Sequence, residues 1–363
     1  MHGKDTIKLL LKGGIMIELL KRLTETPGIA GREERISEVV KKEMEEICDE
    51  VRSDALGNLI GLKKGSGNGK IMLAGHMDEI GFIVKHIDDK GFIRLQPVGG
   101  FDPRTLMGQR VVVHGKEDLI GNLAPATSPV HILTEEEKKK QLQIKDFFVD
   151  LGLPPEQVKE MVEMGDPVTL RQEFVQVGNS FSNKAMDDRV GVLVMLEAAR
   201  KLKQHQANIY LAATVQEEVG LRGALTSAYG IVPDLGIALD VTLAADYPGA
   251  QEPEYVTRLG EGVAIKIMDS ASISDHKLVK RLKEIAREEE IPYQMEILPR
   301  GGTDAGAIQK TQAGVPVATL SVPCRYVHTV NEMVSQKDLE ATINLLASFL
   351  STTDPENLTS KNN

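Results

Sequence analysis

Apolar residues recur at helical spacing in some stretches of the chain and at strand spacing in others, and the two textures divide it. Ile17, Leu19, Leu20 and Leu23 predict a helix over 16–25, which Pro27 and the glycines of "TPGIAG" (26–31) end. Ile36, Val39, Val40, Met44 and Ile47 share one face of a second helix over 33–48. "VRSDALGNLIGLKKG" predicts two short strands turning at Gly57-Asn58. Residues 71–75, "IMLAG", have no polar face, which suits a strand buried in a mixed or parallel sheet.

From about residue 80 strands dominate. "FIVKHIDDKGFIRLQPVGG" predicts a hairpin turning at 88–91, and "QRVVVHGKEDLIGNLA" two further strands. Over 133–165, "TEEEKKK" and "PPEQVKEMVEMGDP" carry helical signals, with Thr134 and Pro154 near their starts. Strand texture returns over 172–177. After Asn183, helices "DRVGVLVMLEAARKL", "GALTSAYG", "DHKLVKRLKEIAREEEI", "TDAGAIQKT" and "SQKDLEATINLLASFLST" alternate with strands "NIYLAATVQ", "LGIALDV", "PYQMEILP" and "VPVATLSVP". This pattern predicts an α/β fold, a mixed central sheet flanked by helices on both faces. The expected division is an α/β domain of residues 1–79 and 174–363, split by an inserted β-rich domain of residues 80–173. Residues 1–15 read as a loosely attached extension, and Met16 is as good a start as Met1.

The chain has 363 residues, more than one core usually fills, which agrees with a second domain. Its 53 acidic against 43 basic side chains leave a formal charge of −10, which argues against nucleic acid or an anionic membrane as partner. Aromatics at 4% also speak against base stacking. Two cysteines, Cys48 and Cys324, make no disulfide scaffold, so a reducing cytoplasm is the expected location. No apolar run reaches the roughly 18 residues of a membrane span, and the short stretch Ile7 to Leu11 lacks the features of a signal peptide.

Acidic and imidazole side chains fall at the ends of apolar strands. His76 and Asp78 follow "IMLAG", Glu217 and Glu218 follow "YLAATVQ", Asp240 ends "LGIAL", and His328 follows "VATLSVPCRYV". Asp187 and Asp188 precede a helix. In open α/β sheets the carboxyl ends of the strands converge on the ligand. Imidazoles and carboxylates there suit a divalent metal such as zinc or cobalt, and a carboxylate can bridge two ions about 3.5–4 Å apart. In the Glu217-Glu218 pair, neighbours point in different directions, so one can hold metal while the other serves as general base.

Each residue also has a plainer reading. A histidine after a strand is more often satisfied or exposed than a ligand, an Asp pair before a helix usually caps it, and adjacent glutamates are usually solvated. Asp240 is harder to explain this way, because an unpaired carboxylate closing an apolar strand is costly. His86 and His114 read as surface positions in the insert. "RGGTDAGAIQ" lacks the Lys-Ser/Thr of a phosphate loop and reads better as a tight turn lining a cleft, with Thr303 or Asp304 as a simple helix cap the plainer reading. No G-x-S-x-G elbow or H-E-x-x-H helix occurs.

"GHMDEIG" (75–81), "KAMDDRVG" (184–191), "VQEEVGLRGA" (215–224), "ALDV" (238–241), "RGGTDAGAIQ" (300–309), "CRYVHTVNE" (324–332) and "TPGIAGRE" (26–33) together resemble the signature blocks of the glutamyl/tetrahedral aminopeptidase family, sometimes labelled deblocking aminopeptidase or endoglucanase. The resemblance implies a zinc-exopeptidase-like fold with a barrel-like insert used in assembly, and a cytosolic enzyme cleaving N-terminal residues from short peptides. It implies two divalent ions, zinc or cobalt first and manganese as a further option. By position, His76, Asp187 and Asp240 would hold one ion. Asp187, Glu218 and His328 would hold the other, with Asp187 bridging the two ions and a water between them. Glu217 would be general base and acid, and Asp78 would orient His76 from behind. The resemblance also implies a cis peptide at Asp187-Asp188 and homo-oligomers from dimers to tetrahedral dodecamers. Val330 departs from the family, which often has proline there. A glycoside hydrolase with paired carboxylates and a non-catalytic metal-dependent assembly protein are the alternatives. The preferred N-terminal residue stays open.

Overall fold

The computed structural model of the chain describes residues 2–359, with side chains over 14–356 and at 358. Among these residues an 11-stranded mixed sheet carries the larger core. Its centre is four mutually parallel strands, in the order Asn208–Thr214, Lys70–His76, Leu235–Leu243 and Val317–Arg325. Leu59–Lys63 and Glu50–Ser53 continue it antiparallel on one side, and Glu332–Ser335, Ser180–Asn183 and Val175–Val177 on the other. Val263–Met268 also pairs with Val317–Arg325, and Tyr293–Ile297 lies beyond it.

Helices cover both faces, as the alternation predicts. On one, the helices Met186–Lys201, Gln336–Thr352, His276–Glu288 and Glu34–Glu45 bury Leu, Ile, Val and Met side chains against the sheet. On the other, Arg222–Ile231 and Ala305–Ile308 lie on Ala74, Ala212 and Ala238, small residues that let helix and sheet approach closely. The four central strands run the same way, so one edge of the sheet gathers their carboxyl ends.

A closed antiparallel barrel, Gly81–Ile87, Ile93–Val98, Phe147–Asp150, Asp118–Pro125, Arg110–His114 and Pro167–Leu170, stands apart from this sheet. Phe82, Val84, Val111, Val113, Phe147, Val149 and Val168 fill it. Closure removes the exposed strand edges that a short insert would otherwise present. Its core also takes in Val330, from the loop that follows the strand Val317–Arg325.

Several elements differ from the sequence reading. The first helix runs His2–Glu25 rather than starting at 16. The attachment of residues 1–15 as a loose extension concerns side chains that lie almost wholly outside the described ones. Between 133 and 165 both helical signals hold, as Glu135–Lys138 capped by Thr134 and Pro155–Met161 preceded by Pro154, and the stretch between them is where the structure adds a strand. The charge run has no apolar stripe to bury, and Phe147 and Val149 alternate inward as a barrel strand instead. The helix opening at "TDAGAIQKT" is a single turn, Ala305–Ile308. His114 is not a surface residue: Nδ1 meets Asp118 at 2.7 Å and Nε2 meets Thr169 at 3.0 Å. No helix among the described residues is long and apolar enough to cross a membrane.

Candidate metal centre

The converging strand ends bring together the side chains that the sequence leaves scattered. His76 closes Lys70–His76, opposite Thr214 in the neighbouring strand. Glu217 and Glu218 follow Thr214 in a loop that turns at Gln216, φ +56°. Asp240 lies within Leu235–Leu243. Asp187 and Asp188, joined by a cis peptide, begin the helix Met186–Lys201. His328 sits in the loop after Val317–Arg325.

Asp187 stands at the centre. Its Oδ1 is 3.1 Å from His76 Nε2 and its Oδ2 is 3.4 Å from His328 Nε2. Glu218 Oε2 is also 3.4 Å from His328 Nε2. His76, Asp187 and Asp240 form one group and Asp187, Glu218 and His328 a second, with facing donor atoms within 4.8 Å of one another in each. Glu217 belongs to neither group, and its Oε2 is 3.9 Å from His76 Nε2. Asp188 faces away: its carboxylate accepts the backbone N–H of His76 at 3.2 Å and of Gly191 at 3.0 Å. The capping reading of the Asp pair therefore describes Asp188 alone.

Asp78 lies behind this arrangement. Nδ1 of His76 meets the Asp78 backbone oxygen at 3.0 Å, while the Asp78 carboxylate is 3.6 Å away. That carboxylate accepts two backbone N–H groups, from Glu217 at 3.0 Å and from Glu218 at 3.1 Å.

Electrostatics mark the cluster as short of positive charge. Burial, with Asp187 adding to it, pushes the Asp240 carboxyl well above its ordinary range. Burial, with Asp240, Asp304 and Glu218 nearby, does the same to Glu217. Glu218 is raised chiefly by burial. Burial pulls His76 down, but Glu217, Asp187 and Asp78 outweigh it and carry the imidazole well above its ordinary value. Burial likewise opposes protonation of His328, yet Asp187 and Glu218 take it up to about 12. A divalent cation between such groups would relieve the mutual repulsion of the carboxylates and replace both imidazole protons. The donor set of imidazole nitrogen and carboxylate oxygen fits zinc, cobalt or manganese.

Three buried acids were not singled out as site residues in the sequence. Asp304 accepts the Thr214 hydroxyl at 2.6 Å instead of capping its helix, and burial raises it to about 6. Glu79 pairs with Lys184 at 2.6 Å, both buried. Glu332 accepts the backbone N–H of Asp187 at 3.0 Å and of His328 at 2.6 Å. Glu79 and Glu332 fall within blocks that already carry a stronger signal, and nothing in their own spacing distinguishes them.

Known proteins share this architecture. Residues 57–345 match the sequence model described as M42 glutamyl aminopeptidase. A lysyl aminopeptidase of Pyrococcus furiosus is 36% identical over 354 residues, 94% of this chain and 99% of that protein. The solved structure of an aminopeptidase from the archaeon Desulfurococcus kamchatkensis is 41% identical, with TM-score 0.92, covering 96% of this chain and 98% of that one. The TET1 peptidase of Pyrococcus horikoshii, described as assembling into a tetrahedron or a large octahedral shell, is 34% identical with TM-score 0.83, over 93% of this chain and 100% of that one.

Proposed function

Because the chain belongs to the M42 glutamyl aminopeptidase family, and so is a hydrolase of peptide bonds, we propose that it is a two-metal aminopeptidase that removes N-terminal residues from short peptides. The observation that carries this reading is the single carboxylate of Asp187, whose two oxygens face two different histidines. His76, Asp187 and Asp240 would hold one ion, and Asp187, Glu218 and His328 the other. When bound, two such ions polarise a scissile carbonyl and acidify a water at the site.

The chain's own residues do the rest. Glu217 lies beside His76 and belongs to neither group, so its carboxylate is left to accept a proton. It takes the proton of the attacking water and returns it to the leaving amine. Asp78 fixes the peptide groups of Glu217 and Glu218, so that one side chain faces the water and the other turns to His328. The substrate's free ammonium is drawn by the surplus of buried acid around it, which selects chain ends over internal bonds.

Zinc or cobalt is the expected metal, with manganese as a further option. Residues 80–173 form the unit through which copies assemble, from dimers to tetrahedral dodecamers, in the cytoplasm. The test is a panel of aminoacyl chromophores and a glucan, assayed after chelation and after return of each metal. Release of the aminoacyl groups only with metal supports the proposal. Turnover unaffected by chelation, or cleavage of the glucan alone, refutes it. Replacing Glu217 by Gln should keep metal bound and lower turnover about 10²–10⁴-fold.

A further inference from the structure

Three carboxylates in the site each clamp a pair of backbone N–H groups. Asp78 holds those of Glu217 and Glu218, and Asp188 those of His76 and Gly191. Glu332 is the third, and its two partners lie in segments far apart in sequence. One oxygen accepts from Asp187, at the start of the helix Met186–Lys201, and the other from His328, in the loop 326–331. Both partners belong to the group Asp187, Glu218 and His328, and only Asp187 belongs also to the other group.

The loop needs such a tie. Tyr326 and His328 both have φ +62°, in the left-handed region that non-glycine residues seldom adopt. His328 is also the most exposed of the ligand candidates, its side chain about one-third accessible. Nothing in its own strand fixes it, because Val317–Arg325 ends three residues earlier. Glu332 begins the next strand, Glu332–Ser335, which pairs with both Val317–Arg325 and Ser180–Asn183. Its backbone is therefore rigid and its side chain is buried. It spans the gap between helix and loop with one side chain and uses both carboxylate oxygens to do so.

We infer that Glu332 is a positioning residue that sets the distance between Asp187 and His328, and with it the affinity of the second metal position but not the first. The inference rests on the two-metal reading above. Groups that orient ligands from behind typically govern metal affinity by about 10–100-fold. Glutamine keeps the shape of the side chain but offers one acceptor oxygen in place of two, so one of the N–H groups faces an amide NH2 instead. Alanine leaves both N–H groups buried without a partner.

The experiment is titration of the chelator-stripped full chain with Co(II), followed by d–d absorption and calorimetry, for wild type, Glu332→Gln and Glu332→Ala. Wild type should bind two equivalents. Both variants should bind the first equivalent as wild type does and the second about 10–100-fold more weakly, the alanine variant more so than the glutamine. Raising the cobalt concentration should restore the absorption of the second equivalent. If Glu332→Ala does not fold, Glu332→Gln alone decides the matter. Two equivalents bound by the variants with wild-type affinity would overturn the inference, as would equal weakening of both. Failure of wild type to bind two equivalents would strike at the two-metal reading itself, not at Glu332.

Discussion

The carboxylate of Asp78 accepts the backbone N–H of Glu217 at 3.0 Å, so the proposed base is held through its peptide group rather than through its side chain. The second oxygen of Asp78 does the same for Glu218. Asp78→Asn leaves one acceptor for two N–H groups. We expect kcat to fall about 10–100-fold with both metals retained. Steady-state kinetics beside metal analysis will check this, and unchanged kcat would show that the clamp is not needed.

Glu217→Gln should cost about 10²–10⁴ in kcat, the usual contribution of a positioned proton acceptor. The metal content should stay at wild-type level, because Glu217 is part of neither donor group. Loss of metal together with activity would reassign it as a ligand.

His328→Ala removes a donor from one group only. Elemental analysis should find one equivalent of metal retained rather than two, with activity lost. Retention of two would place the second ion elsewhere.

Much of this site is legible in the sequence, because its chemistry is written at strand ends. His76, Asp240 and the Glu217-Glu218 pair each follow an apolar run, and parallel strands must bring such ends together. The α/β layering is legible for the same reason, since helical and strand periods differ along the chain. What is not legible depends on contacts between distant segments. Asp304 looks like a cap, and only the packed structure turns it toward Thr214. His114 alternates as a surface residue would, yet it is buried because barrel closure brings Thr169 alongside it. The strand Phe147–Asp150 hides between two helical signals because four residues are too few to show a period.

A pH effect follows from Asp338, which belongs to neither candidate ligand group. It is fully buried and accepts the N–H groups of Gly260 at 2.6 Å and Gly262 at 2.7 Å, yet burial outweighs these bonds and pushes it up to about 6. The folded-state value lies above the unfolded one, near 3.9. The folded chain therefore holds this proton more tightly. The stability it contributes is present below about pH 4 and lost as pH rises through about 6, an effect of order 2–3 kcal/mol. The stability of wild type relative to Asp338→Asn should fall across that window in urea titrations. A constant difference from pH 4 to 7 would contradict this origin.

Val330→Ala should destabilise the chain by roughly 2 kcal/mol, from two methyl groups lost in a filled barrel core. Thermal unfolding of the metal-free forms is the measurement, and an unchanged midpoint would mean the barrel does not depend on this plug.

Val330 has a wider consequence. It is two residues beyond His328, so no more than about 7 Å of extended chain joins a side chain locked inside the barrel to an imidazole facing Asp187. With so little slack, barrel and sheet cannot rock against each other without dragging that imidazole along. The two cores behave kinematically as a closed linkage, in which the barrel is a fixed arm of the site rather than a freely swinging attachment.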